Sequence, residues 1–212
     1  MARTILFDLD GTLTDSGEGI MNCAEKALLH FGITPPDRDT MRSFVGPPLF
    51  DSFTKFGVPA EQAEEAVRVY REYYVPDGMF QNYPYPGIEN LLARLQSEGH
   101  TLYVATAKPE HMSVTILEHF GLSKYFKGIY GALIDGLPDT KAHVIGRVLE
   151  ACPNAQNVIL VGDTVTDVKG AAVHNVPTVG VSWGYGKVSD MVQAGAVAVV
   201  DTMDELYEYL TK

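Results

Sequence analysis

Two pairs of carboxylates and a separate hydroxyl and lysine are the side chains of this 212-residue chain whose types and spacing could do chemistry. The first pair lies in Asp8-Leu9-Asp10-Gly11-Thr12, which closes a short apolar run from Thr4 to Leu9. Asp10-Gly11 is a turn signal, so the run reads as a buried strand and the acids stand at its carboxyl end. In a parallel sheet that end is where ligands bind. Two half-buried acids so close repel strongly unless a cation or a shared proton intervenes. A plain Asx turn or a helix N-cap is the competing explanation for Asp before Gly. The second pair follows the apolar run Val158–Val161, within Gly162-Asp163-Thr164-Val165-Thr166-Asp167. Asp163 and Asp167 are one helical turn apart, although ordinary acidic capping of a helix start gives the same pattern. Two strands of one sheet ending in carboxylates would converge several acids on one rim. Together with waters and substrate oxygens, such ligands suit Mg²⁺.

Two further strand ends carry groups suited to a phosphate. Val104-Ala105-Thr106-Ala107-Lys108-Pro109-Glu110 ends a strand on a hydroxyl and opens a helix with a proline near its first position. A hydroxyl beside free backbone N–H groups suits a phosphate oxygen; by itself, Thr106 is equally a β-branched strand residue. Lys141 follows Pro138-Asp139-Thr140 at the start of another helix. A cation there faces the wrong end of the helix dipole, which a nearby anion would offset. A solvated surface lysine is the simpler explanation.

The elements that must position these groups are legible as periodicity. Strands are expected over Thr4–Leu9, Thr101–Thr106, Ile129–Leu133, Val158–Val161, Thr178–Val181 and Ala196–Val200. Helical spacing appears at Ile88, Leu91, Leu92 and Leu95, at Val114, Leu117 and Phe120, and at Val144, Val148 and Leu149. Continuous Val/Ile runs alternating with helices predict an α/β fold whose parallel sheet is covered on both faces. Residues 15–83 break the pattern. They show no strand, a helix over Ile20, Ala24, Ala27, Leu28 and Phe31, and another over Ala63, Ala66, Val67 and Tyr70, with proline pairs at 35–36 and 47–48 between helices. The predicted organisation is a core of residues 1–14 and 84–212, interrupted after its first strand by an all-helical insertion over 15–83. Tyr83-Pro84-Tyr85-Pro86-Gly87 serves as the return linker.

Composition narrows the partners. With 27 acidic against 16 basic residues, the net charge is −11, which weighs against a nucleic-acid backbone or an anionic membrane as partner. A small anionic substrate is still accommodated if a bound cation inverts the local field. Cys23 and Cys152 are too few for a disulfide framework and read as two buried thiols of a reducing compartment. No apolar run is long enough to span a bilayer, and the N-terminal run turns acidic at once, unlike a signal peptide, so the cytoplasm is the expected location. Tyr70, Tyr73 and Tyr74 read as a packing face.

Taken together, Asp8-Leu9-Asp10-Gly11-Thr12, Thr106, Lys141 and Gly162-Asp163 through Asp167 resemble, in order, the four motifs of the haloacid dehalogenase superfamily of phosphohydrolases. The insertion resembles that family's small helical cap, and the core its Rossmann-like domain. Phe44-Val45-Gly46-Pro47-Pro48-Leu49, Thr106-Ala107-Lys108-Pro109 and Trp183-Gly184-Tyr185-Gly186 are similar to its phosphoglycolate-phosphatase-like branch. The chain departs from that branch in lacking a basic residue inside Gly162–Asp167 and an arginine in Leu137-Pro138-Asp139-Thr140. The resemblance implies a Mg²⁺-dependent phosphatase for a small phosphorylated metabolite, acting as monomer or homodimer. Asp8 would be the nucleophile and Asp10 the general acid and base. Asp8, the Asp10 carbonyl and Asp163 would hold Mg²⁺, with Asp167 binding through water or orienting Lys141. Gly11, Thr106, Ala107, Lys108 and Lys141 would contact phosphate or substrate, and the cap residues Arg42 and Gly46 would face the site. A phosphomutase and a non-enzymatic phospho-aspartate switch use related residues and are the alternatives. The Trp183–Gly186 loop has no assigned role.

Overall fold

The computed structural model describes residues 2–133 and 140–212. The chain divides into two compact units, Met1–Thr14 with Pro84–Lys212, and Asp15–Tyr83. In chain order the strands are β1 (Thr4–Phe7), β2 (Thr14–Asp15), β3 (Tyr83–Pro84), β4 (Thr101–Pro109), β5 (Gly128–Ala132), β6 (Ile159–Gly162), β7 (Thr178–Val181) and β8 (Ala198–Val200). The chain passes from one unit to the other at β2 and β3.

The larger unit is built on a six-stranded sheet of order β5-β4-β1-β6-β7-β8, with every neighbouring pair parallel. Its central strands are buried on both faces, which is why β1, β6 and β7 read as unbroken apolar runs. Alternation along β1 divides the core. Ile5 and Phe7 pack with Leu91, Leu92 and Leu95 of the Ile88–Ser97 helix and Leu206 and Leu210 of the Met203–Thr211 helix. Leu6 faces the opposite way, toward Val144, Ile145 and Val148 of the Lys141–Ala151 helix and Ala171 of the Val165–Ala172 helix. Each helix therefore lays one stripe on the sheet and aims its N-terminus toward the strands' carboxyl ends, as parallel crossover connections require.

The smaller unit holds the Gly17–His30, Arg38–Met41, Leu49–Lys55 and Ala63–Tyr74 helices. Aromatic rings fill its centre. Phe44 stacks on Phe56 at 4.8 Å and meets Phe53 edge-on at 5.2 Å, while Tyr70 stacks on Tyr74 at 5.1 Å. Tyr73 departs from the expected packing face; it is 39% exposed beneath the Lys26 ammonium.

Boundaries differ from the sequence expectation for local reasons. β1 ends at Phe7 because the chain turns at once, with Thr12, Leu13 and Thr14 all donating to the Leu9 carbonyl. β4 continues past Thr106 to Pro109 through a register shift against β5. The Leu49–Lys55 helix was hidden behind Pro47-Pro48, yet Pro48 is its extended N-cap and starts the helix. Cys23 is buried but Cys152 only half-buried. No helix among the described residues is long and apolar enough to cross a membrane.

Leu160 is fully buried in β6 between its neighbours β1 and β7. Leu160→Ala leaves a cavity that a parallel sheet cannot close and is expected to cost about 2–5 kcal/mol, measured by urea unfolding followed by far-UV circular dichroism.

Candidate active site

β1, β4 and β6 are adjacent, so the residues just beyond the carboxyl ends of β1 and β6 meet the last residues of β4. The Asp8 N–H donates to the Val161 carbonyl at 2.9 Å, extending the β1–β6 ladder by one rung and fixing the backbone under the first carboxylate. Gly11 then turns the chain with φ +82°, a left-handed conformation that disfavours side chains, and its N–H donates to Thr14 at 2.8 Å. Asp163 follows β6 and is wholly buried. Asp167 is the third residue of its helix. Its Oδ2 accepts from the Thr164 N–H at 3.0 Å and the Thr164 hydroxyl at 2.8 Å, closing the helix start.

The other oxygen of Asp167 faces Lys141. The Lys141 ammonium lies 2.7 Å from Asp167 Oδ1, 2.7 Å from Asp8 Oδ1 and 3.0 Å from the Ala105 carbonyl. Lys141 is buried, which rules out the solvated-surface alternative, and its position in a first helical turn is offset by two carboxylates. Missing side chains make this fit possible. A Cβ on Gly162 would collide with the Asp167 carboxylate, and one on Gly170 would lie 2.7 Å from Lys141 Cγ. Thr106 is buried, close enough to Asp8 to favour its ionised form; the Thr106 hydroxyl accepts from the Lys108 N–H at 3.3 Å. Ala107 between them is exposed.

Asp10 is held apart from this group by its own cation, since Lys108 Nζ lies 2.9 and 3.1 Å from its two carboxylate oxygens. Sequence reasoning had assigned Lys108 to substrate and did not see this pairing. Spacing gives no signal for it, because the partners are far apart in the chain. The loop after β7, whose role the sequence leaves open, reaches the acidic cluster. The Tyr185 N–H donates to Asp163 Oδ2 at 2.8 Å, and the Trp183 indole N–H donates to the Thr12 carbonyl at 3.3 Å. The paired glycines of Trp183-Gly184-Tyr185-Gly186 were the available signal of a close backbone approach. Arg42 and Gly46 belong to the helical unit. Arg42 is exposed at the start of a short 3₁₀ turn, and Gly46 is exposed with φ +104°. Leu137, Pro138 and Asp139, ahead of Lys141, lie outside the described residues.

Residues 5–181 match the family described as haloacid dehalogenase-like hydrolase. The chain belongs to that family. Among its relatives is a 5'-nucleotidase of Pseudomonas aeruginosa, 40% identical over 88% of this chain and 86% of its own. Another, named tyrosine-protein kinase PtkA in Mycobacterium tuberculosis, is 41% identical over 98% of this chain and 72% of its own length. Among solved structures, a predicted phosphatase from Clostridium acetobutylicum superposes with a TM-score of 0.93 at 42% identity, covering 100% of this chain and 99% of the other.

In this haloacid dehalogenase-like hydrolase the electrostatics of the cluster are lopsided. Asp8, Asp163 and Asp167 are all buried, and one oxygen from each lies within 4.8 Å of the others. Only Lys141 is ion-paired with them among the described residues. Burial first, and then Asp167, push the Asp8 carboxyl up to about 6 against the pull of Lys141. Burial, Asp167 and Asp8 likewise raise Asp163 well above the ordinary carboxylate range. Burial works against the charge of Lys141, but Asp167 and Asp8 together outweigh it and raise its pKa. Three crowded carboxylates and one ammonium leave negative charge that a hard divalent cation would balance, so these residues fit Mg²⁺.

The sign of the pH effect follows. Below the ordinary carboxylate value of 3.8, Asp8 is protonated whether the chain is folded or not. As pH rises through about 6, the folded metal-free chain must ionise it in a crowded acidic site and loses stability. Mg²⁺ binds the ionised carboxylates, so its stabilisation grows over the same range. Differential scanning fluorimetry is expected to show a larger Mg²⁺-induced rise in melting temperature at pH 7.5 than at pH 5; equal rises would contradict the assignment.

Proposed function

We propose that this phosphoric monoester hydrolase is Mg²⁺-dependent and hydrolyses a small phosphomonoester through a phosphoryl group carried on Asp8. The observation that carries the reading is the Asp8 carboxylate held by buried Lys141 at 2.7 Å, beside Thr106 and in one cluster with Asp163 and Asp167. Asp8, Asp163 and the Asp10 carbonyl would hold the ion, with Asp167 in support. When bound, Mg²⁺ supplies charge neutralisation between two anions that otherwise repel.

The rest is the work of side chains. An Asp8 oxygen attacks phosphorus while the ester oxygen leaves, and Asp10 in its protonated form gives that oxygen a proton. Asp10, now a carboxylate, takes a proton from water as the water attacks phosphorus. The Asp8–phosphorus bond breaks, and inorganic phosphate departs. Lys141 and the Thr106 hydroxyl stabilise the negative phosphoryl oxygens during both transfers. Lys141 keeps its proton throughout and holds Asp8 in place. Lys108 orients Asp10, its partner.

A nucleoside 5'-monophosphate is the first substrate to test, because the relative named 5'-nucleotidase shares 40% identity, whereas relatives named phosphoglycolate phosphatase share 29–32%. The relative named a tyrosine-protein kinase favours one second reading, in which a nucleoside triphosphate phosphorylates Asp8 and a tyrosine hydroxyl replaces water as acceptor. A panel of phosphorylated metabolites, scored for free phosphate and for label retained on protein tyrosine, separates the two.

Asp8→Asn is expected to abolish hydrolysis of p-nitrophenyl phosphate, and Asp10→Asn to slow it by about 10²–10⁴-fold. EDTA should stop turnover, with recovery on adding Mg²⁺ and not Ca²⁺. An Asp8→Asn variant with wild-type activity would overturn the nucleophile.

A further inference from the structure

The Trp183-Gly184-Tyr185-Gly186 segment has no part in the chemistry above, yet it touches both sides of the acidic cluster. Its Tyr185 N–H donates to Asp163 Oδ2 at 2.8 Å. Its Trp183 indole N–H donates to the Thr12 carbonyl at 3.3 Å. Thr12 closes the ring by donating its hydroxyl to Asp163 Oδ1 at 3.4 Å. The loop is itself anchored, since the Tyr85 hydroxyl donates to the Trp183 carbonyl at 3.3 Å and the two rings lie 6.2 Å apart. Its glycines are clearances. A Cβ on Gly184 would strike the Asp163 carboxylate and the Gly11 carbonyl, and one on Gly186 would strike the Asp163 carbonyl.

We propose that Trp183–Gly186 is a positioning strap that fixes the orientation of the Asp163 carboxylate relative to the Asp8–Thr12 loop and thereby sets the affinity of the site for Mg²⁺. The proposal rests on the Mg²⁺-dependent reading of the cluster. An unrestrained carboxylate on a strand end rotates about two bonds, and each rotamer must be given up before it serves as a ligand. Here one oxygen is held by a backbone N–H from a loop whose approach is so close that only glycine fits beside it. The same loop holds the carbonyl of Thr12, four residues beyond Asp8, so the two halves of the acidic cluster are indexed to each other through one short segment. Outer partners of this kind govern metal affinity because they remove the freedom of the ligand itself. Trp183 acts through Thr12 and Tyr185 through Asp163, so both are positioning residues.

Trp183→Phe keeps an aromatic ring against Tyr85 and removes only the indole and its N–H. The expected result, by isothermal titration calorimetry with MgCl₂, is a Kd raised about tenfold or more. The half-saturating Mg²⁺ concentration for p-nitrophenyl phosphate hydrolysis should rise by the same factor, with turnover lost at low Mg²⁺ returning as Mg²⁺ is raised. Gly184→Ala, which drives a methyl group into the Asp163 carboxylate, is expected to weaken Mg²⁺ further. A measurement on the wild-type protein does not depend on either variant folding. Trp183 is the chain's one tryptophan, so its emission should change on MgCl₂ addition with the calorimetric half-saturation. Wild-type protein that binds no Mg²⁺ would overturn the metal reading itself. Wild-type protein that binds Mg²⁺ with Trp183 emission unmoved, or a folded Trp183→Phe of unaltered Kd, would overturn the strap alone.

Discussion

The controlling constraint in this structure is negative charge brought out of water. Asp8, Asp163 and Asp167 are buried within one small volume, and Lys141 alone of the described cations is ion-paired there. Removing carboxylates from water is costly, and their mutual repulsion adds to the cost. The fold tolerates the cluster because every surrounding element is arranged for it. The sheet supplies rigid strand ends, two glycines are bare where Asp167 and Lys141 must pass, and a helix start is closed by the same carboxylate that faces the lysine. Asp167 shows the economy of the arrangement. With one oxygen it completes a helix cap, and with the other it holds Lys141 against Asp8, so local helix geometry sets the position of a charge on a different element.

The sheet order explains why the groups meet at all. β1 is flanked by β4 and β6, so Asp8, Thr106 and Asp163 leave neighbouring strands at one edge. Lys141 comes from a crossover helix packed on the same face as Leu6 and Ala105, which places its ammonium on the Ala105 carbonyl. Family membership adds that this layout is shared with haloacid dehalogenase-like hydrolases.

Much of this was legible in the chain. The paired acids after two apolar runs pointed to one rim, and the alternation of Val/Ile runs with helical spacing pointed to a covered parallel sheet. What could not be read were relations between distant residues. Nothing in Thr106-Ala107-Lys108-Pro109 says that Lys108 turns to Asp10 instead of outward, because the pairing depends on β4 running past Thr106 through its register shift. The Trp183 loop was opaque for the same reason: its hydrogen bonds are to Thr12 and Asp163, and only the density of glycine hinted that backbone would approach something closely. The burial of Lys141 was legible only through the set of motifs it completes, because a helix start normally exposes its first turn and only the sheet beneath it reverses that expectation. The Leu49–Lys55 helix was lost because a proline pair reads as a break, when one of the two prolines is the helix's own start.

The position of β1 also has a consequence for how the molecule comes into being. It is the first strand in the chain, yet Ile5 takes its partners from Leu102 on one side and Ile159 on the other. As the chain leaves the ribosome, an apolar strand ending in Asp8 must wait, with both edges open, until β4 and then β6 have been synthesised. Pairings of such high contact order form late and leave their strands exposed to mispairing meanwhile. The helices of the insertion are local by comparison and can gather while β1 waits. The carboxylates are thus assembled only when most of the chain is present, and a nascent fragment that ends before Asp163 lacks half of the charge cluster.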